Sequence, residues 1–293
     1  MIKYNVNHLF GFVVSCLAIS ILPGCGVAAE EDFSHTPVLF VHGHGLFPTD
    51  WDKTIAYLNF TGYPEEYLYA VSITPSRMGN IRAAKTVIRQ AAAALLKNAT
   101  LAAHKSGYQG VMPQRIDIVS HSMGAVSTRW FTAKLQPQLV RTWISLAGAN
   151  HGSNSLCNHT DDGAKDLCPA YATSEIESKV QLGLNGTQEA PLDETPYGPG
   201  IDRKGVQQIV PDHSRNVLYF TVRIDPDDWI KPEHSATLDG AGGVPVNIKS
   251  GTPVIQTTPG NFLFQLDVNH ESLLRHPQLI RFVAVLLAVR DSR

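Results

Sequence analysis

The chain has 293 residues, of which 43% are hydrophobic and 17% charged, with a formal net charge of -2. That is ordinary globular composition with enough apolar residues for one sizeable core, and a single domain is the simplest organisation. A balance so near neutral, with no run of Lys and Arg, gives no reason to expect nucleic acid or a polybasic surface, so partners are expected to be small or apolar.

Lys3 precedes an apolar run from Leu9 to Leu22, the layout of a secretory signal. About 14 residues is short for a bilayer span. Residues 1–29 are therefore expected to be a signal or lipoprotein signal and residues 30–293 the folded domain. Val27-Ala28-Ala29 suits ordinary signal removal, whereas Leu22-Pro23-Gly24-Cys25 resembles a bacterial lipobox that would leave Cys25 lipidated and the chain held at a membrane. Either route exports the chain, secreted or membrane-anchored. Cys16 falls in the signal, which leaves Cys157 and Cys168 as an even pair expected to form a disulfide in an oxidising compartment. Asn59, Asn98, Asn158 and Asn185 each begin an N-x-[ST] sequon, meaningful only in a host that glycosylates.

After a polar arm, Pro37-Val38-Leu39-Phe40-Val41 reads as a buried strand that ends in His42-Gly43-His44-Gly45. A helix follows from Trp51 to Leu58, capped by Thr49 or Asp50, then a strand over Tyr67 to Ile73. Ile81, Ala84, Ile88, Ala92 and Leu95 recur at helical spacing, which predicts a long helix fading near Gly107. The strand Ile116 to Ser120 runs through Ser122 into a helix from Met123 to about Leu135, stopped by Pro137. Val140 to Leu146 is another strand. Strands alternating with helices predict an α/β fold whose mostly parallel sheet is covered by helices on both faces. From about 150 to 215 the rhythm breaks into a polar stretch holding the cysteine pair, too long for a plain connection and read as an excursion over the active-site end. Strands at Val217 to Val222 and Phe262 to Val268 and a final helix from Pro277 to Val289 complete the order.

Ser120-His121-Ser122-Met123-Gly124 is close to G-x-S-x-G, the strand-to-helix turn that lifts one hydroxyl above the end of a sheet. Ser120 stands in the first Gly position, a departure from the pattern. A Ser hydroxyl needs a base, and the base needs a carboxylate to hold its tautomer. In such folds the chain order is Ser, acid, His. Here that order is met by Ser122, the acidic cluster Asp225, Asp227 and Asp228 after one strand, and His270 after the next; His213, His234 and His276 lie in less suitable positions. The oxyanion donors are expected to be the backbone N–H groups of Met123 and His44.

Phe40-Val41-His42-Gly43-His44-Gly45, Val119 to Gly124 and Val268-Asn269-His270-Glu271-Ser272-Leu273-Leu274 resemble the corresponding segments of class 2 bacterial lipases. Asp228-Trp229-Ile230 with Leu238-Asp239-Gly240-Ala241 is similar to their acid-bearing loop, which favours Asp228 as the triad acid with Asp225 as the alternative. The resemblance runs from Pro37 to Leu287. It implies an α/β-hydrolase fold that cleaves carboxylic esters through a Ser122, Asp228, His270 triad and an acyl-enzyme, with no cofactor and no metal, acting on an ester or lipid as a monomer. Lipase-like extracellular polyhydroxyalkanoate depolymerases share the Ser-Met-Gly elbow, so a polyester substrate stays open, as does acyl transfer to an alcohol. A metallohydrolase built on His42, His44 and His121 lacks nearby further ligands. A calcium site at Asp161, Asp162 and Asp166 competes with a solvated loop. A non-catalytic binding module would be expected to have lost a triad member.

Overall fold

The computed structural model describes residues 28–172, 178–185, 217–238, 246–249 and 251–289. The signal up to Val27, with Cys16 and Cys25, lies outside the described residues. So do His213, Asp239, Gly240, Ala241 and the excursion beyond Asn185.

Seven strands form one sheet in the order β2-β1-β3-β4-β5-β7-β6. They are β1 Val38–Val41, β2 Leu68–Val71, β3 Ile116–His121, β4 Val140–Leu146, β5 Leu218–Ile224, β6 Val254–Thr258 and β7 Asn261–Phe264. Every pairing is parallel except β6 with β7. All four residues of β1 and all six of β3 are buried, as both faces of a parallel sheet must be. The period of two sorts them. Val38 and Phe40 join Trp51 and Leu58 of the first helical layer and Leu279, Val283 and Leu286 of the last helix. Leu39 and Val41 turn to the opposite core with Ile88, Ala92 and Leu95.

The helices are α1 Asp52–Phe60, α2 Asn80–Ala83, α3 Arg89–Ser106, α4 Met123–Trp130, α5 Asp162–Lys165, α6 Lys179–Asn185 and α7 Pro277–Leu287. Single π turns at Ala84–Ile88 and Phe131–Leu135 carry α2 into α3 and extend α4. Ala91, Ala92, Ala99, Ala102 and Ala103 are the small buried residues of α3, letting it lie close to the sheet. Gly107 ends it with φ +78°, a left-handed C-terminal cap. The helix predicted from Trp51 begins instead as a 3-10 turn at Pro48–Trp51, where Asp50 accepts the N–H of Phe47.

Two differences from the sequence reading concern the far edge of the sheet. β6 was not expected, because only Val254 of its five residues is buried and prolines flank it, as suits an edge strand. β7 stops at Phe264, four residues before Val268, because Gln265 donates to Pro253 and the chain then turns toward His270.

The excursion after Ala149 folds back over the start of α4. Leu156, Ala164, Leu167, Val180 and Leu184 form a third small core with Met123, Val126 and Ile230. Cys157 and Cys168 are disulfide-bonded, closing this loop with Cα atoms 5.0 Å apart. No helix among the described residues is long and apolar enough to cross a membrane.

Candidate active site

The site assembles at the carboxyl ends of four parallel strands, where open α/β sheets place their chemistry. From β3 comes Ser122, with φ 53° and ψ -127°, a backbone region that costs a non-glycine residue roughly 1–3 kcal/mol. The turn is over-determined: Ser122 N–H donates to Leu146, and its carbonyl accepts from Ala125 and Ala149. Close approach fixes the neighbours. A Cβ on Gly124 would sit 2.3 Å from the His42 carbonyl oxygen, and one on Gly43 would sit 2.8 Å from Ser122 Cβ. Ser120, the departure from the usual pattern, is fully buried, and its hydroxyl donates to the Ile144 carbonyl at 3.1 Å and meets Thr128 Oγ1 at 3.0 Å. A hydroxyl is therefore accommodated where glycine is usual.

His270 follows β7 and is 3% exposed. Its Nδ1 donates to Asp227 Oδ2 at 3.0 Å, so Nε2 is left as the bare acceptor. That atom is buried and has no hydrogen-bond partner among the described residues. It faces the pocket that Ser122 also lines, together with His44, Leu46, His121, Leu156, Trp229, Ile230 and Glu271. The cavity is small, ≈ 30 Å³, room for roughly two waters.

The carboxylate partner is Asp227, not Asp228 or Asp225. After Ile224 the chain turns at Pro226, and Asp227 enters the interior, 2% exposed, where Oδ1 accepts the N–H groups of Trp229 and Ile230 at 2.8 and 2.9 Å. Asp228 is exposed; its Oδ1 accepts the backbone N–H of His270 at 2.9 Å, so it positions the loop rather than the imidazole. Asp225 points outward into an ion pair with Arg223 at 3.1 Å. Three aspartates within four residues look alike in sequence. The available signal was that the middle one precedes Trp229 and the buried Ile230 at the spacing of an aspartate that caps two backbone N–H groups.

The backbone N–H groups of Met123, directly after Ser122, and of His44, which lines the cavity, donate to no carbonyl among the described residues. His121, weighed in the sequence only as a possible metal ligand, buttresses His270 instead: its Nε2 donates to the His270 carbonyl at 3.0 Å. Burial, reinforced by the neighbouring His270, keeps its imidazole well below the usual histidine range, and so neutral. His42 is likewise spoken for, donating through Nδ1 to Gly43 and accepting Ile73 N–H at Nε2; burial lowers its pKa too. The three histidines considered for a metallohydrolase therefore do not converge on one point. Nor do the three aspartates considered for calcium: Asp166 accepts from Asn80, and Asp161 from His44 and Ala164.

A family model described as Lipase (class 2) matches residues 35–191, over half of the chain. The chain belongs to the class 2 lipase family. Membership places it among the ester hydrolases. Among solved structures, the mature form of the Bacillus licheniformis lipase BlEst2 is similar at 14% identity and a TM-score of 0.52, covering 89% of this chain and 95% of that one. The same lipase in its propeptide form gives 13% identity and a TM-score of 0.50, covering 91% of this chain and 53% of that one. Likeness at this identity carries the fold, that of an α/β-hydrolase. Among curated proteins there is no match.

Proposed function

We propose that this chain hydrolyses carboxylic esters through a Ser122, His270, Asp227 triad and a covalent acyl-enzyme. Ser122 Oγ attacks the carbonyl carbon while His270 Nε2 takes its proton; the N–H groups of Met123 and His44 bind the oxyanion, each such donor being worth about 3–4 kcal/mol. The tetrahedral intermediate expels the alcohol, which receives the proton from His270. Water then attacks the acyl-enzyme by the same relay and releases the acid and Ser122. The observation that carries this reading is the imidazole of His270: oriented by a buried carboxylate at Nδ1, unpartnered at Nε2, and open to the same cavity as a serine on a strained strand-to-helix turn.

The cavity is too small for an acyl chain, so substrate entry requires Leu156 and Trp229, which border it from the excursion and the acid loop, to part. The Cys157–Cys168 bond supports an exported protein, since such bonds persist outside a reducing cytoplasm. A serine-directed organophosphonate should label Ser122 in one equivalent, located by peptide mass spectrometry. Ser122→Ala should abolish both labelling and turnover of p-nitrophenyl esters while retaining the wild-type circular dichroism. Turnover at the wild-type rate in that variant would overturn the proposal. Triglyceride and polyhydroxybutyrate, assayed beside the short esters, separate lipase, esterase and polyester depolymerase.

A further inference from the structure

Beside the cavity that His44 lines, His44, His159 and Asp161 bring two imidazoles and one carboxylate together, with one ligand atom from each lying within 4.8 Å of the others. His44 belongs to the loop after β1, while His159 and Asp161 lie in the disulfide-closed loop more than a hundred residues on. His44 Nε2 is 3.0 Å from both Asp161 oxygens, equidistant from the two. Asp161 Oδ1 is fixed from behind by the N–H of Ala164. The His159 ring stands edge-on to His44 with centroids 5.5 Å apart and is backed by Trp229 at 5.7 Å. Its ring nitrogens have no hydrogen-bond partner among the described residues.

We propose that these three side chains bind a divalent transition-metal ion of the zinc class, with water as the fourth ligand. Two imidazoles with one carboxylate suit zinc and its neighbours rather than calcium or magnesium, which take oxygen ligands. The geometry is close to ready. Bonds of about 2.0–2.1 Å at a tetrahedral centre separate ligand atoms by about 3.3 Å. The His44 and Asp161 atoms need move only a few tenths of an ångström, and the His159 ring at most about 1.5 Å, within reach of a side-chain adjustment. Without the ion, the same pair is held by a shared hydrogen bond. With it, the loop that carries the oxyanion N–H is tied to the loop that covers the site. The ion lies outside the triad and takes no part in the ester chemistry proposed above, so its binding can be tested independently.

The full chain, stripped with a chelator and dialysed, is titrated with Zn²⁺ against a chromophoric chelator, and separately with Co²⁺. Expected are one equivalent of Zn²⁺, the intense visible spectrum of four-coordinate Co²⁺, and a melting temperature that rises with Zn²⁺. His159→Gln and Asp161→Asn should each weaken affinity at least tenfold, and Asp162→Asn, the exposed neighbour, less than twofold. Circular dichroism establishes that each variant is folded. Absence of stoichiometric binding to wild type would overturn the proposal, as would undiminished affinity in both ligand variants, which would put the ion elsewhere.

Discussion

Replacing Asp227 with Asn should cost about 10⁴-fold in kcat/KM for a p-nitrophenyl ester, as loss of a triad carboxylate does. At about 1.36 kcal/mol per tenfold that is close to 5.5 kcal/mol of transition-state stabilisation. The reason lies in how the carboxylate is held. Its Oδ1 accepts two backbone N–H groups, from Trp229 and Ile230. In an Asn the amide oxygen must stay there, because turning it would set an NH₂ against two N–H donors. The NH₂ is then forced to face His270 Nδ1, where it can only donate, so the imidazole must carry its proton on Nε2 and can no longer accept one from Ser122. Burial at 2% exposure leaves no water to rescue the wrong tautomer. Asp228→Asn is the paired control: its oxygen accepts one backbone N–H at the surface, which an amide oxygen can also do, and the loss should stay below about threefold. Initial rates with both variants at neutral pH, alongside near-ultraviolet circular dichroism, decide the matter. Asp227→Asn above about a tenth of wild-type kcat/KM, or an equal loss in Asp228→Asn, would refute the assignment.

Ser122→Gly should abolish turnover yet raise stability by about 1 kcal/mol, since glycine relieves the positive φ while losing more backbone entropy on folding; a lowered melting temperature would show that the turn stores no strain. Reducing the Cys157–Cys168 bond, or replacing both cysteines with Ser, should remove about 3 kcal/mol for a loop of this length, roughly 6–12 °C in melting temperature, and an unchanged melt would contradict it. His42 and His121 have folded-state pKa values below the ordinary 6.5, so the unfolded chain binds more protons and stability falls as pH drops below 6.5. Two such groups give a slope of up to about 2.7 kcal/mol per pH unit, read by denaturant unfolding between pH 7.5 and 5.5; a flat profile across that range would refute it.

The parallel sheet was legible because β1, β3, β4 and β5 are largely buried on both faces and therefore read as predominantly apolar, β-branched and aromatic runs. β6 has one buried residue and was invisible for the same reason. Ser122 and His270 could be singled out as candidates because each lies between a strand and a helix start, a local pattern. The acid was not, since choosing among Asp225, Asp227 and Asp228 depends on which way a three-residue turn faces, and that is settled by the backbone N–H groups of Trp229 and Ile230 rather than by spacing. The neighbours of His44 were hidden for a different reason: Asp161 reaches it from 117 residues away, through a loop whose path is set by the disulfide and by packing on Met123.

Main chain positions two of the three groups and side chains the third. Ser122 is held by the backbones of Leu146, Ala125 and Ala149 and Asp227 by two N–H groups, whereas His270 is held by the side chains of Asp227, Asp228 and His121. The bonds between backbones survive wide changes in side chain, provided that no Cβ intrudes where backbones touch. That requirement falls on Gly43 and Gly124, and it explains why Ser120 is tolerated: its hydroxyl points along the sheet to Ile144 and Thr128 instead of into the contact between Gly124 and His42. A scaffold of this kind lets sequence drift to 14% identity with BlEst2 while the fold is kept. The side chains of Leu46, Leu156 and Trp229 take no part in those backbone contacts and line the cavity with apolar surface.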